Sequence, residues 1–149
     1  MRFLLYDEIT KLDKGSSVTG TKTFSLSDEC LRGHFSRLPV VPGVLLIEAM
    51  AQVLGWLIIY SHDFRLSAVM SLIENVSVPA QLRPGFKAEI HGEMLSTSAR
   101  DSLGTAKVAI DGQLVASLGR IIYVHAPTAD SGKLRDLFCY YSGIQKFQA

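Results

Sequence analysis

The residues best suited to chemistry lie close together, between Gly33 and Gln52. Glu48 is a carboxylate inside an otherwise apolar run from Val41 to Tyr60. An ionised carboxylate in apolar surroundings is costly unless it is paired, and burial shifts a carboxyl toward proton donation near neutral pH. Glu48 taken alone fits equally well as a structural glutamate bonded to a buried backbone group or to Gln52, one helical turn on. Of the four histidines, His62 falls in the polar cluster Ser61-His62-Asp63 and is expected to be solvated. His91 is expected at an exposed strand edge, and His125 is expected to follow the last strand. His34 differs, because it opens the constrained segment GHFSRLPVVPG just ahead of the apolar run. Gly43 is the third candidate. A glycine at a helix start lets a ligand approach N–H groups that have no partner within the helix, and those donors can stabilise an oxyanion. A packing or turn glycine is the plainer alternative.

The elements that must position these residues follow from periodicity. Gly33 to Gly43 holds two glycines and two prolines and reads as a loop. Val44 to Tyr60 contains no proline and only Gly55 to weaken it, so it is expected to be a helix, with Pro42 in its first turn. Apolar residues occupy all its faces, which predicts burial nearly all round. Phe3 to Ile9 could form a first short element, and Ser17 to Leu26 alternates as a strand. After the helix, Ala68 to Val78, Lys87 to Ser96, Gly104 to Asp111 and Leu114 to Val124 read as strands. Asp111-Gly112 is a hairpin signal between the last two. From Asp130 to Ala149, Leu134, Leu137, Phe138, Tyr141 and Ile144 recur at helical spacing. That amphipathic helix is expected to dock on the sheet's outer face or on a neighbouring subunit. One apolar helix among antiparallel strands implies an α+β domain in which a sheet wraps the helix.

Composition narrows the class. The 149 residues suit one domain, and 48% hydrophobic with 19% charged residues is globular, not disordered. A formal charge of +1 gives no global basic field for nucleic acid or an anionic membrane. Cys30 and Cys139 form no CxxC or Cys/His cluster, so neither a disulfide framework nor a metal site is expected, and both read as reduced, buried thiols. The apolar stretch Phe3 to Tyr6 is too short for a signal-peptide core, and a cytoplasmic location is expected. Val41 to Tyr60 approaches the length of a membrane span, but Pro42, Gly43, Glu48 and Gln52 interrupt it, so no span is expected. No P-loop, GxGxxG, GxSxG or HExxH pattern is present.

Read together, Gly33 to Gln52 spell GHFSRLPVVPGVLLIEAMAQ. This segment resembles the 3-hydroxyacyl-acyl-carrier-protein dehydratases of the hotdog superfamily, the FabZ type, whose pattern is G-H-F-P-x-x-P-x-x-P-G-V-L-x-x-E-A-x-A-Q. His34, Phe35, Pro39, Pro42, Gly43, Val44, Leu45, Glu48, Ala49, Ala51 and Gln52 match without a gap. The resemblance implies a hotdog domain over 1–126, with 127–149 as a C-terminal helical extension. It implies dehydration of a 3-hydroxyacyl thioester to a trans-2-enoyl thioester, with His34 and Glu48 as the catalytic pair. Backbone N–H groups at Gly43 and Val44 would hold the thioester carbonyl, Gln52 would orient Glu48, and Phe35 would help line an acyl tunnel.

The same resemblance implies no cofactor and no metal; the acyl group arrives on the phosphopantetheine of acyl carrier protein. It implies a homodimer with each active site shared between subunits, and a trimer of dimers (a homohexamer) as a larger assembly. Two positions depart from the pattern. Ser36 replaces a proline, and Phe86 stands where the family usually has aspartate. The related FabA type carries aspartate at the helix carboxylate position, so Glu48 points to the dehydratase-only group. Hotdog thioesterases lack the histidine loop, and a non-catalytic acyl-binding subunit would need neither His34 nor Glu48.

Overall fold

The computed structural model describes residues 3–144. Its strands are β1 (Glu8–Asp13), β2 (Ser17–Phe24), β3 (Leu66–Ser77), β4 (Phe86–Thr97), β5 (Asp101–Ile110) and β6 (Gln113–Pro127); its α-helices are α1 (Gly43–Ser61) and α2 (Ser131–Ser142). The strands form one antiparallel sheet in the order β1-β2-β4-β5-β6-β3. The sheet curls around α1, as the alternation of apolar residues implies. Ala88, Ile90, Ala106 and Val108 point inward from β4 and β5. Leu46, Met50, Val53, Leu54, Leu57 and Ile58 meet them from one face of α1, all fully buried. Each such aliphatic side chain contributes about 1.5–3 kcal/mol on burial. Gly104 lets the helix sit this close, since a Cβ there would lie 2.9 Å from Leu54 Cδ2.

Several expectations held. Asp111 and Gly112 both have positive φ, as a type I′ hairpin requires, and Ile110 pairs with Gln113 across the turn. The helix begins and ends within a residue of its expected limits, although Pro42 is the N-cap and not the first helical residue. Phe86 is accommodated by an apolar pair, with its ring 5.4 Å from that of Phe24 on the neighbouring strand.

Other expectations are corrected. The first strand is Glu8–Asp13; Phe3 to Asp7 instead lies beside α1, where the Leu5 N–H donates to Gln52 Oε1 at 2.9 Å. His91 is not at a sheet edge, because β4 lies between β2 and β5, and its ring pairs with Thr19 and Glu93. His62 is not simply solvated. A hydrogen-bonded chain links His62 Nε2, Thr97 Oγ1, Ser102 Oγ and His125 Nε2, with successive distances of 2.8, 2.7 and 2.8 Å. Burial holds the His62 imidazole below its usual pKa, and nearby His125 and Arg65 add to that. His125 lies within β6, not after it. Cys30 and Cys139 are free thiols and only partly buried, with burial pushing the Cys30 thiol up.

The tail helix docks on α1 and its exit turn, not on the sheet's outer face. Phe138 is buried against Trp56, Tyr60 and Phe64, with ring centroids 5.2, 5.9 and 5.4 Å away. Asp130 caps α2 by accepting from the Lys133 N–H, and left-handed Gly143 ends it. Residues 145–149 of the expected tail lie outside the described residues.

Nor is α1 buried all round. It is long and apolar enough to cross a bilayer by length and composition, yet the sheet covers one side of it. The other side keeps an open stripe at helical spacing: Val44 is 63% exposed, and Glu48, Gln52, Trp56 and Tyr60 are partly open. A sheet with two free edges can wrap only part of a cylinder; α2 covers the Trp56 and Tyr60 end of this stripe through Phe138, while Val44 at its start has no cover among the described residues.

Candidate active site

Glu48 projects from the open stripe of α1. Its Oε1 accepts from Gln52 Nε2 at 3.0 Å, the i to i+4 contact that helical spacing sets up. The Gln52 amide has one consistent orientation. Its oxygen must face the Leu5 N–H (2.9 Å), which turns its NH2 group toward Glu48 and, at 3.4 Å, the Phe3 carbonyl. Gln52 thereby ties the N-terminal segment to the carboxylate and leaves the second carboxylate oxygen for other work. Glu48 is half-buried, not enclosed as the apolar sequence around it implies.

A cavity of about 340 Å³ opens beside this pair. Glu48 and Gln52 supply its polar rim; Ala51, Gly55, Trp56 and Ile59 continue it along the helix, with Met70 of β3 opposite. Tyr123 of β6 closes the floor. Its hydroxyl donates to the Ala51 carbonyl at 2.6 Å, and burial, with the Glu48 charge as a lesser cause, raises its pKa strongly. Tyr6 also borders the cavity, its phenol pushed up to about 12 mainly by burial. Both phenols therefore stay neutral and add no charge to the cavity wall. Sequence reading missed Tyr6, Trp56 and Tyr123, which look like ordinary apolar positions in a strand or helix pattern.

His34 lies elsewhere on the chain. Its loop is pinned by the His34 N–H to the Leu31 carbonyl (3.0 Å), the Val40 N–H to the His34 carbonyl (2.9 Å) and the Val41 N–H to the Leu82 carbonyl (2.8 Å). The exposed imidazole stacks on Phe35 at 4.6 Å and 21°. Phe35 and Ser36 border a separate shallow cleft with Leu26 and Pro39. His34 and Phe35 thus do not line the cavity that Glu48 and Gln52 share within one chain.

Gly43 is the first residue of α1. A Cβ on it would lie 2.7 Å from Val78 Cγ2 and 2.9 Å from Val78 Cβ, so close packing alone forbids a side chain. The N–H groups of Gly43 and Val44 belong to the first turn, where an α-helix offers no internal acceptor. Packing and oxyanion binding are compatible at this position. Gly43→Ala is expected to destabilise the fold by about 1–3 kcal/mol through overpacking. Val78→Ala in the same chain should recover most of that in thermal unfolding, because it removes the atoms that clash.

Among the described residues no group of three or more His, Cys, Asp or Glu side chains is placed to hold a metal ion. The chemistry within reach is proton transfer at a carboxylate beside an apolar slot.

Comparison with known proteins identifies the family and the fold. The FabA-like domain model matches residues 1–118. A 3-hydroxyacyl-[acyl-carrier-protein] dehydratase FabZ from Bacillus velezensis is 38% identical over 117 residues, covering 76% of this chain and 81% of that protein. The FabZ of Levilactobacillus brevis is 33% identical over 129 residues, covering 85% and 86%. Among solved structures, a dehydratase heterocomplex from Xenorhabdus doucetiae superposes with a TM-score of 0.65 at 14% identity, covering 91% of this chain and 90% of that one. A thioesterase from Haemophilus influenzae does so with a TM-score of 0.64 at 12% identity, covering 83% and 80%. At those identities the structures speak for the hotdog fold alone. The family match and the FabZ relatives go further: the chain belongs to the FabA-like family of hotdog dehydratases, on its FabZ-type branch.

Proposed function

We propose that this protein removes water from 3-hydroxyacyl thioesters carried on acyl carrier protein, giving trans-2-enoyl thioesters for fatty acid or related lipid biosynthesis. The observation that carries this reading is a carboxylate, Glu48, oriented by Gln52 on the rim of an apolar cavity. Family membership supplies the reaction class.

In the proposed mechanism the thioester carbonyl accepts hydrogen bonds from the Gly43 and Val44 N–H groups, where the helix dipole favours negative charge. His34 takes the proton from C2 as general base. Electrons of the C2–H bond form the C2–C3 double bond, the C3–O bond breaks, and Glu48 gives its proton to the departing hydroxyl, which leaves as water. The proton on His34 then returns to Glu48 through solvent, and both groups are reset. Substrate phosphopantetheine needs no further cofactor. The same reading places the enzyme in the cytoplasm, with the carrier protein as its partner.

We further propose that each site joins Glu48 of one subunit to His34 of another. Two features support a dimer. β3 is an edge strand whose Val69, Leu72 and Val76 are exposed, and natural edge strands are usually blunted or covered. Val44 at the start of the open stripe of α1, and Phe35 and Leu38 of the histidine loop, are also exposed apolar side chains without cover among the described residues.

Turnover with 3-hydroxyacyl carrier thioesters, reading enoyl product and free thiol together, tests the reaction. Enoyl product without thiol release is expected. Thiol release without enoyl product would make the protein a thioesterase, and tight acyl-carrier binding with no turnover would make it a binding subunit.

A further inference from the structure

We infer that the C-terminal helix sets the acyl-chain length of this enzyme, by holding Trp56 as a wall across the deep end of the cavity; this rests on the dehydratase reading above. The cavity follows α1 from Glu48 past Gly55 to Trp56 and Ile59. Glu48 and Trp56 are two turns apart, about 12 Å along the axis. An extended chain advances roughly 1.2 Å per bond, so about ten bonds fit between the reacting carbon and the indole.

Trp56 belongs to the open stripe of α1 and would be free to change rotamer if nothing packed against it. What packs against it is α2. Phe138, only 2% exposed, sits 5.2 Å from the indole and wedges against Tyr60 and Phe64 as well. Tyr6, itself buried, borders the same end of the cavity. The helix that carries Phe138 is firmly placed: Asp130 caps its start, Ser142 is fully buried, and Ile144 is buried beyond its end. This buttress lies outside residues 1–118, the part matched by the family model. Phe138 touches no substrate in this scheme. It is a positioning residue acting through Trp56.

A chain-length series tests it, using the full protein and the 3-hydroxybutyryl, 3-hydroxyoctanoyl, 3-hydroxydodecanoyl and 3-hydroxyhexadecanoyl thioesters of acyl carrier protein. Wild type is expected to lose roughly tenfold or more in kcat/KM at the longest chain. Phe138→Ala should recover that loss while leaving the butyryl rate within about twofold, and Phe138→Leu should restore the cutoff. Gly55→Ala should act in the opposite sense. A methyl there meets Tyr123 Cε1 at 3.5 Å, an ordinary contact, so it fits while narrowing the slot. Its cutoff should move to shorter chains with Tm unchanged or raised, because alanine is the better helix former. If Phe138→Ala fails to fold, the smaller truncation Phe138→Val decides in its place, with the same gain expected at the longest chain; Gly55→Ala checks only that the slot holds the acyl chain. A wild type without a cutoff, or an unaltered profile in the folded variants, overturns the inference and leaves the dehydratase reading standing. A wild type inactive on every chain length overturns the dehydratase reading, and the inference falls with it.

Discussion

Glu48→Gln is expected to lower kcat for enoyl formation by roughly 10²- to 10⁴-fold, the usual worth of a positioned general acid. The substitution keeps the shape of the side chain and removes only its capacity to give a proton. Since Glu48 is partly exposed on the open stripe of α1, folding should tolerate the change, and KM should move little. Gln52→Ala should fall between that variant and wild type. It deletes the 3.0 Å bond to Glu48 and also frees the Leu5 N–H from its acceptor, so it should lower Tm as well as kcat. Steady-state kinetics beside thermal unfolding separates the two effects. A Glu48→Gln enzyme with near-normal kcat would remove the carboxylate from the chemistry.

The second large effect is expected at β3. Leu72 lies near the middle of this edge strand and is exposed in the single chain. In a two-fold interface built on the strand, central residues lie close to their own symmetry mates. Leu72→Glu would then set like charges beside each other in a desolvated seam, at a cost of several kcal/mol. Sedimentation should show a monomer, and dehydratase activity should fall at least about 100-fold with dimer content. The variant monomer should keep its sheet, because Leu72 contributes little to the core of its own chain. A monomeric variant with full activity would contradict a site shared between subunits.

How much of this was legible beforehand depended on the range of each interaction. The limits of α1, the Asp111-Gly112 turn and the strand alternation are local, and periodicity with turn chemistry exposed them. The contact between Glu48 and Gln52 was legible for the same reason, since four residues make one helical turn. The N-terminal clamp was not, because Leu5 and Gln52 are 47 residues apart and nothing in FLLY distinguishes a strand from a segment held by a side-chain amide. The chain from His62 to His125 was hidden in the same way: Thr97 and Ser102 belong to different strands, and only the sheet brings them together. The docking of α2 was half legible. Its amphipathic face announced a partner, but aromatic packing onto Trp56 and Phe64, not the sheet, supplied it. Burial of α1 was overstated because an apolar helix implies cover without saying which chain provides it.

The central claim is that His34 of one subunit works with Glu48 of another. It is tested most directly by mixing two inactive enzymes, His34→Ala and Glu48→Gln, under conditions that exchange subunits. Each parent lacks one half of every site. A mixed dimer holds one dead site, missing both groups, and one intact site that takes His34 from the Glu48→Gln subunit and Glu48 from the His34→Ala subunit. With random exchange, half the dimers are mixed and each has one working site, so enoyl formation should recover to about a quarter of the wild-type rate. No recovery, with subunit exchange verified by differential tags, would place both groups in one chain and contradict the shared site.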